Sequence, residues 1–115
     1  MSSTYGSLKI QQKWEDMTVY AYVALRQMPK SERFTLGAEI RSKLWSGFQL
    51  IIKANASRNK MPFLFEIDVE IKTLLALTRV AYGMKIIPFK QYEHLSVLLV
   101  ELGKMLGGWM KYGRS

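Results

Sequence analysis

The sequence predicts an all-α protein, an up-down-up-down antiparallel four-helix bundle. Four amphipathic stretches of roughly 20 residues fill most of the 115-residue chain, the connections between them are short, and no alternating strand pattern competes with them. The formal net charge is +8 and the sequence pI is about 9.8. A small helical body with this charge attracts polyanions, so nucleic acid is the leading candidate partner.

The first helix is predicted over residues 10–28, where apolar residues recur at spacings of three and four. The stripe consists of Ile10, Trp14, Met17, Ala21, Ala24, Leu25 and Met28. Pro29 ends this helix. The second helix is predicted over residues 32–57, with Ser31 as its N-cap. Its stripe consists of Ile40, Leu44, Phe48, Ile51 and Asn55, and residues 57–60 form the turn that follows.

The third helix is predicted over residues 62–82, because proline is tolerated in a first turn and Gly83 is a natural terminator. Its stripe consists of Leu64, Ile67, Ile71, Leu74, Leu75, Thr78 and Tyr82. The fourth helix, over residues 89–111, follows a loop that contains Pro88. Its stripe consists of Tyr92, Leu95, Leu98, Leu99, Leu102, Leu106 and Trp109.

Length and composition predict one bundle domain over residues 10–112, a flexible N-terminus over residues 1–9 and a frayed end over residues 113–115. The chain has no cysteine, which excludes disulfides and thiolate metal sites. We see neither a secretory signal pattern nor an apolar run long enough to span a membrane. The expected location is therefore the cytoplasm, without a membrane partner.

Two helices carry more apolar surface than one bundle needs. Val19, Tyr22 and Val23 point away from the first stripe, and Val97 and Val100 point away from the fourth. Small residues also line up on the fourth helix at Ser96, Gly103 and Gly107, next to Val100. They either accommodate bulky core neighbours such as the tryptophans or, together with the leftover apolar faces, form a homo-oligomer interface.

The positive charge is concentrated on the second helix and its ends, since residues 31–60 contain six basic and only two acidic side chains. Lys43 and Lys53 are predicted on the face opposite the apolar stripe, and Arg58 and Lys60 extend the charge into the turn. A charged face is often only a solvated face, but the net excess favours phosphate binding. Arg41 and Arg79 are candidates either for nucleic-acid or polymerase contact or for a protein interface.

Residues that could carry chemistry are sparse, and we predict no catalytic residue, metal ligand or cofactor. His94 is the only histidine, and a zinc site needs more than one such ligand. Among the nearby carboxylates, only Glu66 and Glu70 share a helix face. They lie near the predicted start of the third helix, where they would compensate its dipole. A different hypothesis is a small enzyme or ligand-binding bundle with a cavity among Trp14, Trp45 and Trp109. Packed tryptophans more often simply fill a core, so no small-molecule substrate is expected.

Particular segments resemble a known family. Residues 29–41, PKSERFTLGAEIR, resemble a pattern common in the bacterial four-helix-bundle family typified by proteins encoded in intervening sequences of large-subunit rRNA genes. QYE at residues 91–93 and LGKMLGGW at residues 102–109 more specifically resemble the accessory variability determinant proteins of diversity-generating retroelements. At residues 53–59 the rRNA-associated branch usually shows Asn-Ile-Ala-Glu-Gly, whereas this chain has KANASRN, which is basic and contains no acidic residue. In this segment the chain is similar to the accessory variability determinant proteins.

This resemblance implies a homopentameric, barrel-like ring of bundles whose basic surface binds RNA and possibly DNA. It also implies association with a reverse transcriptase that copies template-repeat RNA into mutagenised cDNA, with no catalytic activity of the accessory protein itself. The alternative is an rRNA intervening-sequence-type bundle with a structural or RNA-associated role.

Overall fold

The computed structural model describes residues 2–113, with side chains for residues 8–112. The helices in chain order are α1 (Ser2–Arg26), α2 (Lys30–Arg33), α3 (Leu36–Ala56), α4 (Met61–Gly83) and α5 (Phe89–Gly113). All but α2 are long, and there is no strand within residues 2–113. The predicted all-α class is confirmed.

The four long helices pack in a closed square. α1 packs against α3, α3 against α4, α4 against α5, and α5 returns to α1. Because short connections join consecutive long helices, neighbours run antiparallel. The resulting bundle measures 45 × 22 × 19 Å, and its two ends are formed by the chain reversals.

The predicted stripe of α1 is fully confirmed, since all seven residues from Ile10 to Met28 are buried. The helix itself begins at Ser2 rather than at residue 10 and ends at Arg26. Apolar spacing reports only where side chains pack, whereas a helix extends wherever each added residue gains a backbone hydrogen bond. The flexibility of residues 1–9, the bundle limits 10–112 and fraying at 113–115 stay predictions; Met1, Arg114 and Ser115 lie outside the described residues.

The predicted second helix is in fact two helices. α2 ends at Arg33, Phe34 and Thr35 interrupt the helix, and α3 begins at Leu36. Ser31 lies inside α2 and is not its N-cap, a position that Pro29 takes without a side-chain hydrogen bond. The prediction of one helix over residues 32–57 with Ser31 as its cap was therefore wrong.

Two arginines hold this interruption in place through backbone carbonyls. The Arg33 side chain donates to the carbonyl oxygens of Arg26 and Met28 at 2.8 and 3.0 Å, and Arg41 donates to the carbonyl oxygen of Arg33 at 2.9 Å. These carbonyls lie where helical hydrogen bonding stops, so guanidinium donors satisfy groups that would otherwise depend on water.

The core centres on Trp14, which is completely buried and donates its indole N–H to the carbonyl oxygen of Leu44 at 2.8 Å. A Cβ atom on Gly47 would lie within 3.0 Å of three carbon atoms of this indole. Gly47 is therefore required by the size of Trp14. Trp109 is also buried, but Trp45 is 53% exposed, so the hypothesis of a cavity shared by the three tryptophans was wrong.

The other predicted stripes are largely confirmed. On α3, Gly47 and Ala54 are buried and Asn55 is exposed, which corrects one member of that stripe. On α4, Leu75 is half-buried and Tyr82 is exposed, whereas on α5 Tyr92 and Leu98 are half-buried. The remaining predicted residues of these three stripes are buried except Phe48, which is half-buried.

The C-terminus of α4 is closed at Lys85 rather than at Gly83. Lys85 has a φ of 60°, and its N–H bonds to the carbonyl of Tyr82 at 2.9 Å, while the N–H of Ile86 bonds to that of Ala81 at 2.8 Å. This is a Schellman motif with a lysine at the left-handed position. The helix ends at Gly83, one residue after the predicted end, but the left-handed conformation is adopted by Lys85 and not by this glycine.

Replacing Lys85 with glycine is expected to raise the free energy of unfolding by about 1 kcal/mol, because glycine adopts this φ without a Cβ clash. Urea denaturation measures the change. Lys85→Ala is the matched control, since it removes the same charge and keeps the Cβ. Equal stability of the two variants would contradict this explanation.

Candidate nucleic-acid and protein-binding surfaces

Three predicted cations lie together at the turn between α3 and α4. Lys53 and Arg58 are exposed, and their side chains have no hydrogen bond or ion pair among the described residues. Lys60 is different, because its ammonium group donates to the carbonyl oxygens of Ala54 and Ser57 at 2.9 and 2.7 Å. Lys60 thus caps the C-terminus of α3, which leaves Lys53 and Arg58 as the accessible charges of this turn.

Lys43 lies on a different side of α3. Its ammonium nitrogen is 4.0 Å from Oε1 of Glu70 on α4, and its side chain is 34% exposed. The predicted position on the face opposite the apolar stripe was therefore wrong for Lys43, which lies at the α3–α4 contact. Glu70 is buried there in the middle of α4, and no described residue bonds its second carboxylate oxygen. It does not compensate a helix dipole, because no acidic residue occupies the first turn of α4.

The remaining two candidates lie towards the other end of the bundle. Arg41 is twelve residues before Lys53 on α3, about 18 Å along the helix axis, and its guanidinium is used at the α2–α3 interruption. Arg79 is exposed near the C-terminal end of α4. The six predicted binding residues therefore do not form one surface.

One apolar surface lies on α1 and α3. Val19 is 69% exposed, Val23 is exposed and Tyr22 is half-buried. Trp45 adjoins them from α3, donating its indole N–H to the Tyr22 hydroxyl at 2.8 Å, and Ile52 is exposed on the same side of α3. We call these five residues the α1–α3 surface. Its α1 residues were predicted from the sequence, whereas Trp45 was predicted to line a cavity.

A second apolar surface is a shallow groove of about 480 Å³ on α5. Val97 and Val100 line it, Gly103 follows one turn later as a half-buried residue, and Gly107 is exposed. A Cβ atom on either glycine would meet no other atom within 4 Å. These glycines therefore do not accommodate core tryptophans, and that interpretation was wrong; their role in an oligomer interface stays a prediction.

Sequence reasoning missed a third exposed apolar face, on α4. Phe65, Val69 and Val80 are each about half exposed. They lie between the predicted stripe positions, so a stripe-by-stripe interpretation assigned them no role. Their helical spacing is the signal that could have revealed them, because positions four residues apart share a helix face.

The polar groups near these surfaces make structural contacts. His94 packs edge-on against Tyr20, with ring centroids 4.3 Å apart, which links α5 to α1. The Lys13 ammonium group is 2.5 Å from Oε2 of Glu101, and this hydrogen-bonded ion pair lowers the pKa of the Glu101 carboxyl below its usual value of 4.5. Within residues 8–112, no group of three or more His, Cys, Asp or Glu side chains could hold a metal ion.

No helix in the described part of the chain has the length and apolar character needed to cross a membrane. A family model described as bAvd-like matches residues 8–113. The chain belongs to the bAvd-like family. The match decides between the two resemblances in favour of an Avd-type accessory protein, and this family is of a non-catalytic, accessory type. No curated protein and no solved structure matches this bAvd-like chain.

The family match covers α1 from Leu8 onward, all of α3, α4 and α5, and the α1–α3 surface and the α5 groove of the bAvd-like chain. It also covers every predicted binding residue, including Lys53 and Arg58. The accessible cations and the uncovered apolar faces thus lie within the matched region of this chain.

Proposed function

We propose that this protein is the accessory protein of a diversity-generating retroelement. It binds RNA, and possibly DNA, together with the element's reverse transcriptase, and supports mutagenic cDNA synthesis from template-repeat RNA in the cytoplasm. The observation that carries the proposal is the bAvd-like family match over residues 8–113. Association within retroelements is what that family suggests for its members.

The charge of the chain supports the nucleic-acid part of this proposal. The formal net charge is +8, and Lys53 and Arg58 are exposed without an ion partner among the described residues. Cations of this kind bind phosphates by releasing counterions, so affinity falls steeply with salt. Lys43 and Lys60 contribute less, because a carboxylate and backbone carbonyls already occupy them.

The two apolar surfaces support a ring-shaped homo-oligomer, with a pentamer as the proposed stoichiometry. A ring repeats one head-to-tail contact, which needs two different patches on each subunit. The α1–α3 surface and the α5 groove are two such patches on different helices. In a ring, one subunit's α1–α3 surface packs against the next subunit's α5 around Val97 and Val100, covers these two valines together with Val19 and Val23, and leaves the Phe89 end of the groove open.

Reversing both accessible charges with Lys53→Glu and Arg58→Glu is expected to weaken RNA binding at least about tenfold. The slope of log affinity against log salt concentration falls by up to about 2, because each lost phosphate contact removes about 0.7–0.9. Fluorescence anisotropy of a labelled structured RNA over a salt series measures both quantities.

The matched control is Arg26→Glu with Lys30→Glu, which changes the net charge equally at the opposite end of the bundle, at two exposed residues outside every proposed binding site. Circular dichroism confirms that both variants keep their helicity. If the two double variants lose equal affinity, the contact is not at the α3–α4 turn. Failure of the wild-type protein to bind RNA at low salt, or to co-purify with a reverse transcriptase encoded beside it, would contradict the corresponding part of the proposed function.

A further inference from the structure

Three aromatic rings meet where α4 and α5 approach each other beside their connecting loop. Tyr82 and Tyr92 are stacked, with ring centroids 4.7 Å apart and planes inclined by 4°. Phe89 stands edge-on to Tyr82 at 5.7 Å and lies 6.2 Å from Tyr92. We call these three residues the aromatic cluster.

The aromatic cluster is not part of the core, although periodicity assigned Tyr82 and Tyr92 to core stripes. Tyr82 is 40% exposed and Phe89 is 52% exposed, while Tyr92 is half-buried between them and the bundle. Phe89 and Tyr92 also line the α5 groove, at the N-terminal end of α5. The exposed ring surface is therefore accessible to a flat ligand. The stacking of Tyr82 on Tyr92 fixes the orientation of these two rings.

Three basic residues lie close to these rings along the chain. Arg79 is one turn before Tyr82 on α4, Lys85 is in the loop, and Lys90 follows Phe89. All three are exposed, and their side chains have no hydrogen bond or ion pair among residues 8–112. Within residues 79–93 the one acidic residue is Glu93. The charge at the cluster therefore suits a polyanion.

The second group of exposed aromatic residues differs in its surroundings. Trp45, with Tyr22 and Phe48, lies among exposed Val19, Val23 and Ile52. Arg41, one turn before Trp45 on α3, is already bonded to the carbonyl of Arg33. That group suits an apolar protein contact, whereas rings flanked by unpaired cations suit nucleobases joined by phosphates.

We infer that the aromatic cluster of Tyr82, Phe89 and Tyr92 is a stacking site for unpaired bases of single-stranded RNA, with Arg79, Lys85 and Lys90 holding the flanking phosphates. Stacking needs bases that are free of a duplex, so this site selects single-stranded over double-stranded segments. The inference rests on the proposed RNA-binding function and adds the strandedness of the RNA and the residues that recognise it.

The test compares Phe89→Leu with Phe65→Leu, because both phenylalanines are 52% exposed but only Phe89 belongs to the cluster. The probes are a fluorescein-labelled oligoadenylate of about ten nucleotides, within the site sizes of about 4–16 nucleotides known for such surfaces, and a duplex RNA of the same length. Phe89→Leu is expected to lower oligoadenylate affinity at least about tenfold, with an unchanged salt slope and unchanged duplex affinity. Phe89→Trp keeps an aromatic ring at this position and is expected to keep the affinity for oligoadenylate.

Other outcomes overturn the inference. Equal oligoadenylate affinity of Phe89→Leu and Phe65→Leu excludes stacking at the cluster, even though RNA binding through Lys53 and Arg58 would survive. An equal loss on oligoadenylate and duplex excludes recognition of unpaired bases. Loss of reverse-transcriptase binding without loss of RNA binding makes the cluster a protein contact. If the wild-type chain binds neither RNA at low salt, the inference and the RNA-binding proposal both fail.

Discussion

Replacing Gly47 with leucine is expected to prevent the bundle from folding. Even the first side-chain carbon would overlap the Trp14 indole, which is completely buried and bonded to the carbonyl of Leu44. Neither ring nor backbone can move away without breaking that bond and opening the α1–α3 contact. Overpacking costs about 1–3 kcal/mol where the structure can relax, and more here, against a total stability of about 5–15 kcal/mol for a natural protein.

Thermal unfolding followed by circular dichroism measures this effect. Gly83→Leu is the matched control, because Gly83 is also helical but a Cβ there meets no other atom within 4 Å. Combining Gly47→Leu with Trp14→Ala removes the indole and is expected to restore part of the lost stability. A Gly47→Leu variant that melts at the wild-type temperature would show that the indole does not depend on this glycine.

Replacing Gly107 with leucine is expected to dissociate the homo-oligomer while the single chain stays folded. A Cβ at Gly107 meets nothing within the chain, and leucine favours a helix over glycine by roughly 0.8 kcal/mol. In the proposed ring, however, the added side chain stands on the same face of α5 as Val100, two turns beyond it, where the neighbouring subunit's α1–α3 surface packs. An overpacking cost of about 1–3 kcal/mol per contact corresponds to a roughly 5- to 150-fold weaker association.

Light scattering after size-exclusion chromatography, at several protein concentrations, gives the molar mass of each variant. Gly83→Leu again serves as the control, since it adds the same side chain outside the groove. Val19→Glu on the α1–α3 surface is expected to reproduce the dissociation from the other side of the contact. A Gly107→Leu variant that keeps the wild-type molar mass would exclude this face of α5 as an interface.

The core was predictable from the sequence because spacings of three and four report which side chains share a helix face. All seven residues that this rule predicted for the first stripe, from Ile10 to Met28, are buried. It could not find the break between α2 and α3, which depends on Arg33 and Arg41 reaching carbonyls of other turns. Nor could it explain Gly47, since the need for a glycine comes from Trp14, thirty-three residues earlier.

The binding surfaces were less predictable, because the sequence shows where a charge is attached but not what the side chain reaches. Lys53 and Lys60 look equivalent in sequence, yet one ammonium group is exposed and the other caps α3. Lys43 differs again, since Glu70 on the next helix lies beside it. The aromatic cluster was missed because Tyr82 and Tyr92 fit the apolar periodicity, although the helix ends leave them accessible.

The contact between α1 and α5 imposes an order on folding. Of the four contacts between long helices, three join helices that are consecutive along the chain, whereas the contact of α1 with α5 joins segments separated by most of the chain. Contacts that close short loops form faster than those that close long ones. During synthesis, α1, α3 and α4 emerge before α5 and leave one side of the Trp14 stripe open to water. A chain whose α5 has not yet left the ribosome cannot form the α1–α5 contact, so this is the stage of synthesis at which its apolar side chains are most exposed to aggregation and chaperone binding.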